Sequence, residues 1–262
     1  MLLKIPLFFA VSSETGRRVA RVTGLIAVVG LLGACTPPPA PVTMNDPGEA
    51  GNRQVHAFNR GLDRALLRPA SSVYGGAVPE PLQTGLSNLA SNLDLPGDVV
   101  NNVLQGRIAN AAENTTRFAI NTVIGIGGLF DPAKAIGLPG KPTDFGETLH
   151  RYGAGEGRYV ELPGVGPSTV RDAIGTAVDI AANPVRLLLP SPEKYVGTAA
   201  SVASTLGDRN RYSDTVESVL YDSADSYAQA RLLYLQNRRF ELGQTGGAED
   251  AFLDPYEDPY AE

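Results

Sequence analysis

Apolar residues recur at helical spacing along most of the chain. Val55, Phe58, Leu62 and Ala65 share one face ahead of Pro69, which predicts a helix over about 53–67. Leu82, Leu86, Leu89 and Leu93 repeat the pattern. It resumes after Pro96 and Gly97 with Val99, Val100, Val103 and Leu104, so the proline is expected to separate two helices. Ile108, Ala111, Ala112, Thr115, Ala119 and Val123 form a further face, which runs into the stretch FAINTVIGIGGLFDPA at 118–133.

That stretch is mostly apolar from Phe118 to Phe130 and is closed by Asp131 and Pro132. A membrane-crossing helix needs about 20 such residues, and Asn121 with Thr122 interrupts even this short run. Gly125, Gly127 and Gly128 each weaken a helix by roughly 1 kcal/mol relative to alanine. The spacing therefore predicts helix in the first half and a bend at these three glycines, the expected hinge. A phosphate loop is excluded, because Leu129-Phe130-Asp131-Pro132 follows where a helix N-terminus with Lys-Ser or Lys-Thr would be needed.

Between 137 and 167 the chain is dense in glycine and proline, and Arg158-Tyr159-Val160-Glu161-Leu162 alternates like a short strand. A loop with one small hairpin is expected there. Thr169-x-x-Asp172 is a capping box opening a helix with Val170, Ile174, Ala177, Val178 and Ala181 on its apolar side, ended by Asn183-Pro184. Further helical runs fall at about 193–206 and 209–221. A last one, at about 224–242, carries Tyr227, Arg231, Tyr234, Leu235 and Arg238 on one face. Strand signals are otherwise nearly absent, so the fold class is all-α, one multi-helix domain with a small hairpin.

Composition adds an address. The chain has 262 residues, 43% of them hydrophobic, enough for a real core, and a single cysteine, Cys35. Cys35 ends a leader: Arg17, Arg18 and Arg21, an apolar run from Val22 to Leu32, then Leu32-Gly33-Ala34-Cys35. This is the pattern of a secretory signal closed by a bacterial lipobox, which makes residues 1–34 the signal peptide and Cys35 the lipid-attachment residue. A buried structural cysteine is the alternative. The apolar LLKIPLFFAV ahead of the arginines is unusual for such a signal and points to a translation start placed too early. Residues 35–45 form a Pro-rich tether, 46–242 the helical domain, and 243–262 an acidic extension with Phe252, Tyr256 and Tyr260 among its acids. Thr36 stands where aspartate commonly retains such lipoproteins in the inner membrane, so the outer membrane is the expected location.

Chemistry is sparse. A net charge of −6 argues against nucleic acid. One cysteine and two histidines leave no metal cluster, and no cofactor is expected. There is no Gly-x-Ser-x-Gly elbow and no His-Glu-x-x-His, which leaves His150, near Asp144 and Glu147, as the one base–carboxylate candidate. Asparagines are the more unusual feature. Asn88, Asn92, Asn101, Asn102 and Asn121 recur through one amphipathic region and are candidates for an uncharged polar lining of a lipid passage, with solvated surface as the alternative.

Five blocks occur in a known order: DPGEAGNRQVHAFNRGLDRALLRP, LSNLASNLDLPGDVVNNVLQG, RFAINTVIGIGGLFDPA, DFGETLHRYGAGEGRYVELPGVGPSTVRD and DSYAQARLLYLQNRR. Together with the lipobox they resemble the MlaA (VacJ-like) family of outer-membrane lipoproteins, over about residues 46–240. Gly51 departs from the family, which tends to carry an aromatic there. The resemblance implies a ring-like helical domain lying in the periplasmic leaflet of the outer membrane, with phospholipid as the transported ligand. It implies passage of misplaced outer-leaflet phospholipids to a soluble periplasmic MlaC-type lipid carrier, and association with an outer-membrane porin trimer. On this basis Ile124, Ile126, Leu129 and Phe130 are expected to contact acyl chains, with Gly125, Gly127 and Gly128 allowing the bend. Asn52, Arg53, Phe58 and Asn59 match an early family motif and are expected to brace the domain. The alternative is a porin-associated scaffold lipoprotein that moves no lipid.

Overall fold

The computed structural model describes residues 44–244. The signal peptide, Cys35, the tether before Met44 and the acidic extension after Gln244 lie outside the described residues.

Helix α1 (Glu49–Leu62) continues through a π-helical turn (Asp63–Leu67) into α2 (Arg68–Ala77). Pro69 therefore does not end the first helix. In the π turn amides reach five residues back, as Arg68 N does to Asp63 O. The amide that proline lacks then falls in the first turn of a new segment, where it costs least. Pro96 likewise does not separate two helices: α3 runs unbroken over Glu80–Leu104 with Pro96 inside it. Packing overrides propensity here, since α3 is held along its length by α4 (Ile108–Val123), which folds back on it, and by α9 (Val196–Arg211). Ser204 Oγ donates to Ser87 Oγ across that second contact at 3.1 Å.

A short turn α5 (Pro132–Ala135) follows, and helix α6 (Phe145–Arg151) lies in the segment expected to be loop. Asp144 caps α6 by accepting Glu147 N, an Asp-x-x-Glu box within a run whose glycines and prolines otherwise read as loop. The hairpin follows: β1 (Tyr159–Leu162) pairs antiparallel with β2 (Gly166–Thr169), Tyr159 opposite Thr169 and Leu162 opposite Gly166. Thr169 then caps α7 (Val170–Ala182) through Asp172, as the sequence box requires. A short α8 (Pro184–Leu188), a 3-10 turn (Glu193–Tyr195) and α9 lead to α10 (Ser213–Glu217), a second π turn (Ser218–Asp222) and α11 (Ser226–Glu241).

The interior is polar to an unusual degree. Among the described residues only eight hydrophobic residues are buried, against 17 polar or charged ones, while 27 large hydrophobic side chains are exposed. An ordinary water-soluble fold has the opposite preference. The small apolar core is Tyr159, Tyr227 and Leu235 with Tyr234 against them; the Tyr159 and Tyr227 rings meet edge-on at 5.8 Å.

Candidate functional site

The chain from Thr122 to Phe130 leaves the end of α4 as a tight turn. Gly127 N donates to Thr122 O and Phe130 N to Gly125 O, each at 2.9 Å. Ile126 adopts φ +54°, a left-handed conformation that a β-branched side chain avoids. The side chains point outward: Val123, Ile124, Ile126 and Phe130 are 81, 69, 65 and 61% exposed, and Leu129 is half-buried. No charged residue occurs between Phe118 and Phe130. The expected bend is present, but the glycines sit in a closed turn, with Gly125 and Gly128 buried.

At its base the turn is latched. Asn121 Nδ2 donates to Asp131 Oδ1 and Arg117 Nη2 to Asp131 Oδ2, each at 2.9 Å, while Ala133 N donates to Asn121 Oδ1 at 3.1 Å. Burial pushes the Asp131 carboxyl up, and hydrogen bonds from Lys134 N, Asn121 and Arg117 more than reverse this, leaving it below the usual range. The two charges flanking the apolar stretch thus neutralise each other. Other exposed apolar residues extend the surface, among them Val100, Val103, Leu104 and Ile108 around the α3–α4 junction.

The asparagines proposed as a polar lining do other work. Asn92, Asn101, Asn102 and Asn121 are all but fully buried. Asn92 Nδ2 donates to Thr122 Oγ1 at 3.1 Å and Gly127 O at 3.4 Å, Asn101 Nδ2 to Asp179 Oδ1 at 2.9 Å, and Asn102 Nδ2 to Asp98 O at 2.9 Å and Lys141 O at 3.2 Å. The half-buried Asn88 gives Nδ2 to Leu129 O at 3.3 Å. Each carboxamide carries a donor and an acceptor, the groups needed to tie an irregular segment to a helix where water does not reach. Asn114 does the same: it takes Lys141 N at 2.9 Å and gives its own amide to Lys141 O at 2.7 Å. Near these groups the half-buried Asp98 carboxyl accepts Thr143 N, and burial raises its pKa to about 7.

The early motif braces. Asn52 Nδ2 donates to Asp46 and Tyr159 O while its Oδ1 accepts Glu161 N, Asn59 holds Leu162 O and Gly164 N, and Arg53 forks onto Asp225 at 3.0 and 2.7 Å. Phe58, expected to join them, is 57% exposed and belongs to the apolar exterior.

A chain that sequence reasoning missed runs from Ser226 to Glu161. His56 Nε2 lies 3.1 Å from Ser226 Oγ, His56 Nδ1 lies 3.2 Å from Glu161 Oε1, and all three residues are buried. A cavity of about 190 Å³ adjoins it, lined by His56, Arg60, Glu161, Leu67, Val165 and Leu220 among others. The order is that of a hydrolytic triad, but the amides of Tyr227 and Ala228, which would polarise a carbonyl at Ser226, are bound by the Asp225 carboxylate. Tyr159 and Asn59 also hold Glu161, so the chain serves as a brace between α1, the hairpin and α11. Glu161 and Ser226 lie 105 and 170 residues from His56, beyond any local motif. His150 forms no base–carboxylate pair with its neighbours: Asp144 caps α6 and binds Arg238, while Glu147 binds Arg107 and Thr143. Burial, then the Arg171 charge, lowers the His150 pKa.

Fold and site together define a helical protein with a polar interior and an extended apolar exterior, a surface of the kind that meets a membrane or a partner. No helix among the described residues is long and apolar enough to cross a membrane. The family model described as MlaA lipoprotein matches residues 44–241, and the chain belongs to that family. It is 35% identical over 222 residues to the intermembrane phospholipid transport system lipoprotein MlaA of Shigella flexneri, covering 83% of this chain and 84% of that one. The protein of the same name from Escherichia coli K12 is 34% identical with the same coverage. A structure solved in work on the structural basis for maintenance of bacterial outer membrane lipid asymmetry is 33% identical, with a TM-score of 0.65 over 75% of this chain and 98% of that one.

Proposed function

We propose that the protein is the outer-membrane component of a phospholipid transport system, removing misplaced phospholipids from the outer leaflet and so maintaining lipid asymmetry. The observation that carries this reading is the inverted distribution of polarity, buried carboxamides and ion pairs within and exposed Ile124, Ile126, Phe130 and their neighbours without, in a chain with no spanning helix among the described residues. A protein so built is suited to lie in one leaflet. The relatives' names and the theme of the solved structure supply the cargo and the direction of benefit.

In this reading Cys35, acylated after removal of residues 1–34, anchors the chain in the periplasmic leaflet, and the Pro-rich tether joins the anchor to the helical domain. The lipid passes to a soluble periplasmic carrier of the MlaC type, and a porin trimer is the neighbour in the membrane. The apolar exterior supports both a lipid and a protein neighbour, and the mobile-lipid role needs no cofactor. The test is deletion of the gene, with outer-leaflet phospholipid measured on intact cells by a reagent that cannot cross the outer membrane. Labelled phospholipid should rise and return to baseline on complementation. Unchanged labelling would overturn the transport reading and favour a porin-bound scaffold.

A further inference from the structure

Below the apolar turn, α3 presents Gly85, Asn88 and Asn92 on one face, three and four residues apart. Asn92 Nδ2 reaches Gly127 O and Asn88 Nδ2 reaches Leu129 O, two carbonyls to which no backbone amide of the turn donates. The fit is close. A Cβ on Gly128, whose φ is +102°, would come within 2.6 Å of the Asn92 side chain, and one on Gly85 would lie 3.4 Å from Leu129 O.

Gly127 O and Leu129 O face α3, where a main-chain carbonyl needs a protein partner even when the turn beyond it is in water. In hydrocarbon no water is present, and every carbonyl that enters needs a partner from the protein. The turn has the other properties of a segment built to leave water: an uncharged sequence from Phe118 to Phe130, a closed Arg117–Asp131–Asn121 latch at its base, and four exposed apolar side chains at its tip. The left-handed Ile126 needs support from its surroundings to persist, and the same two carboxamides hold the backbone on its C-terminal side.

We propose that Asn88 and Asn92 are positioning residues that stand in for water beneath the 122–130 turn, making it a rigid apolar wedge that inserts among phospholipid acyl chains. This deepens the lipid-transport reading and rests on it. The glycines then serve close packing against α3, and the wedge enters the bilayer as one preformed piece.

The test uses the full chain in vesicles of phosphatidylethanolamine and phosphatidylglycerol, with nitroxide labels placed by Ile124→Cys or Phe130→Cys so that strained Ile126 is left alone. Depth is read as the ratio of collisions with oxygen to collisions with a water-soluble nickel chelate. Wild-type labels should be deep. Asn92→Ala should lower the ratio severalfold and increase label mobility, with Asn88→Ala moving both in the same direction. Asn92→Asp should resemble the alanine variant when ionised, since a carboxylate donates no hydrogen bond, and should recover depth as acid restores a donor; the unsubstituted protein, taken through the same pH series, provides the baseline. If Asn92→Ala does not fold, Asn88→Ala, at a half-buried position with one contact, carries the same comparison. Labels that report bulk water in the unsubstituted protein would overturn the membrane placement itself. Labels that stay equally deep and immobile in all three variants would overturn the positioning role alone.

Discussion

Asn114→Ala is the sharpest test of carboxamides as structural fasteners. Asn114 is fully buried and clasps the main chain of Lys141 from both sides, accepting its amide and donating to its carbonyl. Loss of both bonds is not equally costly. Lys141 O keeps Asn102 Nδ2 at 3.2 Å, so only Lys141 N is left without a partner. A lost hydrogen bond contributes about 1 kcal/mol and an orphaned buried group about 1–3 kcal/mol, which together give about 2–4 kcal/mol. Asn102→Ala makes the control. It is as deeply buried, but its partners are Lys141 O, which keeps Asn114, and Asp98 O within α3, so about 1 kcal/mol is expected. Urea unfolding in mild detergent, followed by helical circular dichroism because the chain has no tryptophan, separates the two. Equal costs, or a loss below about 1 kcal/mol for Asn114→Ala, would refute the reasoning that an unsatisfied main-chain group sets the penalty.

Three further outcomes follow from charges and the anchor. Burial raises the Asp98 pKa from near 3.9 to about 7, so the folded state holds its proton more tightly and stability falls as pH rises from about 4 to about 7; Asp98→Asn should flatten this slope and exceed wild type in urea midpoint at pH 8. Asp63→Ala strips Arg209 of a two-pronged partner at 2.9 and 3.0 Å, and with Glu217 still on Arg209 the cost should fall near the lower end of the roughly 3–5 kcal/mol typical of a broken buried pair, read by thermal unfolding. Intact mass of the mature protein should begin at Cys35 and carry acyl chains, and Cys35→Ala should leave an uncleaved, unacylated precursor.

Local periodicity made most helices legible. The faces beginning at Val55, Leu82 and Ile108 are all helical, and the Thr169 box caps α7. Errors came where tertiary contacts outweigh local rules. Pro69 and Pro96 are carried through, one by the π turn ahead of it and the other by packing on both sides of α3, and α6 is hidden among glycines. The apolar turn was visible as a composition, but its closure was not, since Asn92 lies 35 residues from Gly127. The asparagines stand out in the sequence, but a sequence shows that a carboxamide is present without showing which backbone it faces. The His56–Glu161 contact leaves no periodic signal at all.

The π turn at Asp63–Leu67 fixes a phase relation between two halves of one rod. A π turn holds one residue more than the α-helical turn it replaces, and each α-helical residue advances the chain by about 100°. Removing a single residue there would let a regular α-helical turn sweep the same rotation with one residue fewer, so α2 would keep nearly its present phase relative to α1. Ser71 would keep its buried site and Gly75 its close approach to Asn210. A one-residue deletion at this point should therefore be better tolerated than one between Arg68 and Ser71, where no residue is spare and the helix beyond the deletion would turn by about 100°, breaking the meshing of α2 with α9.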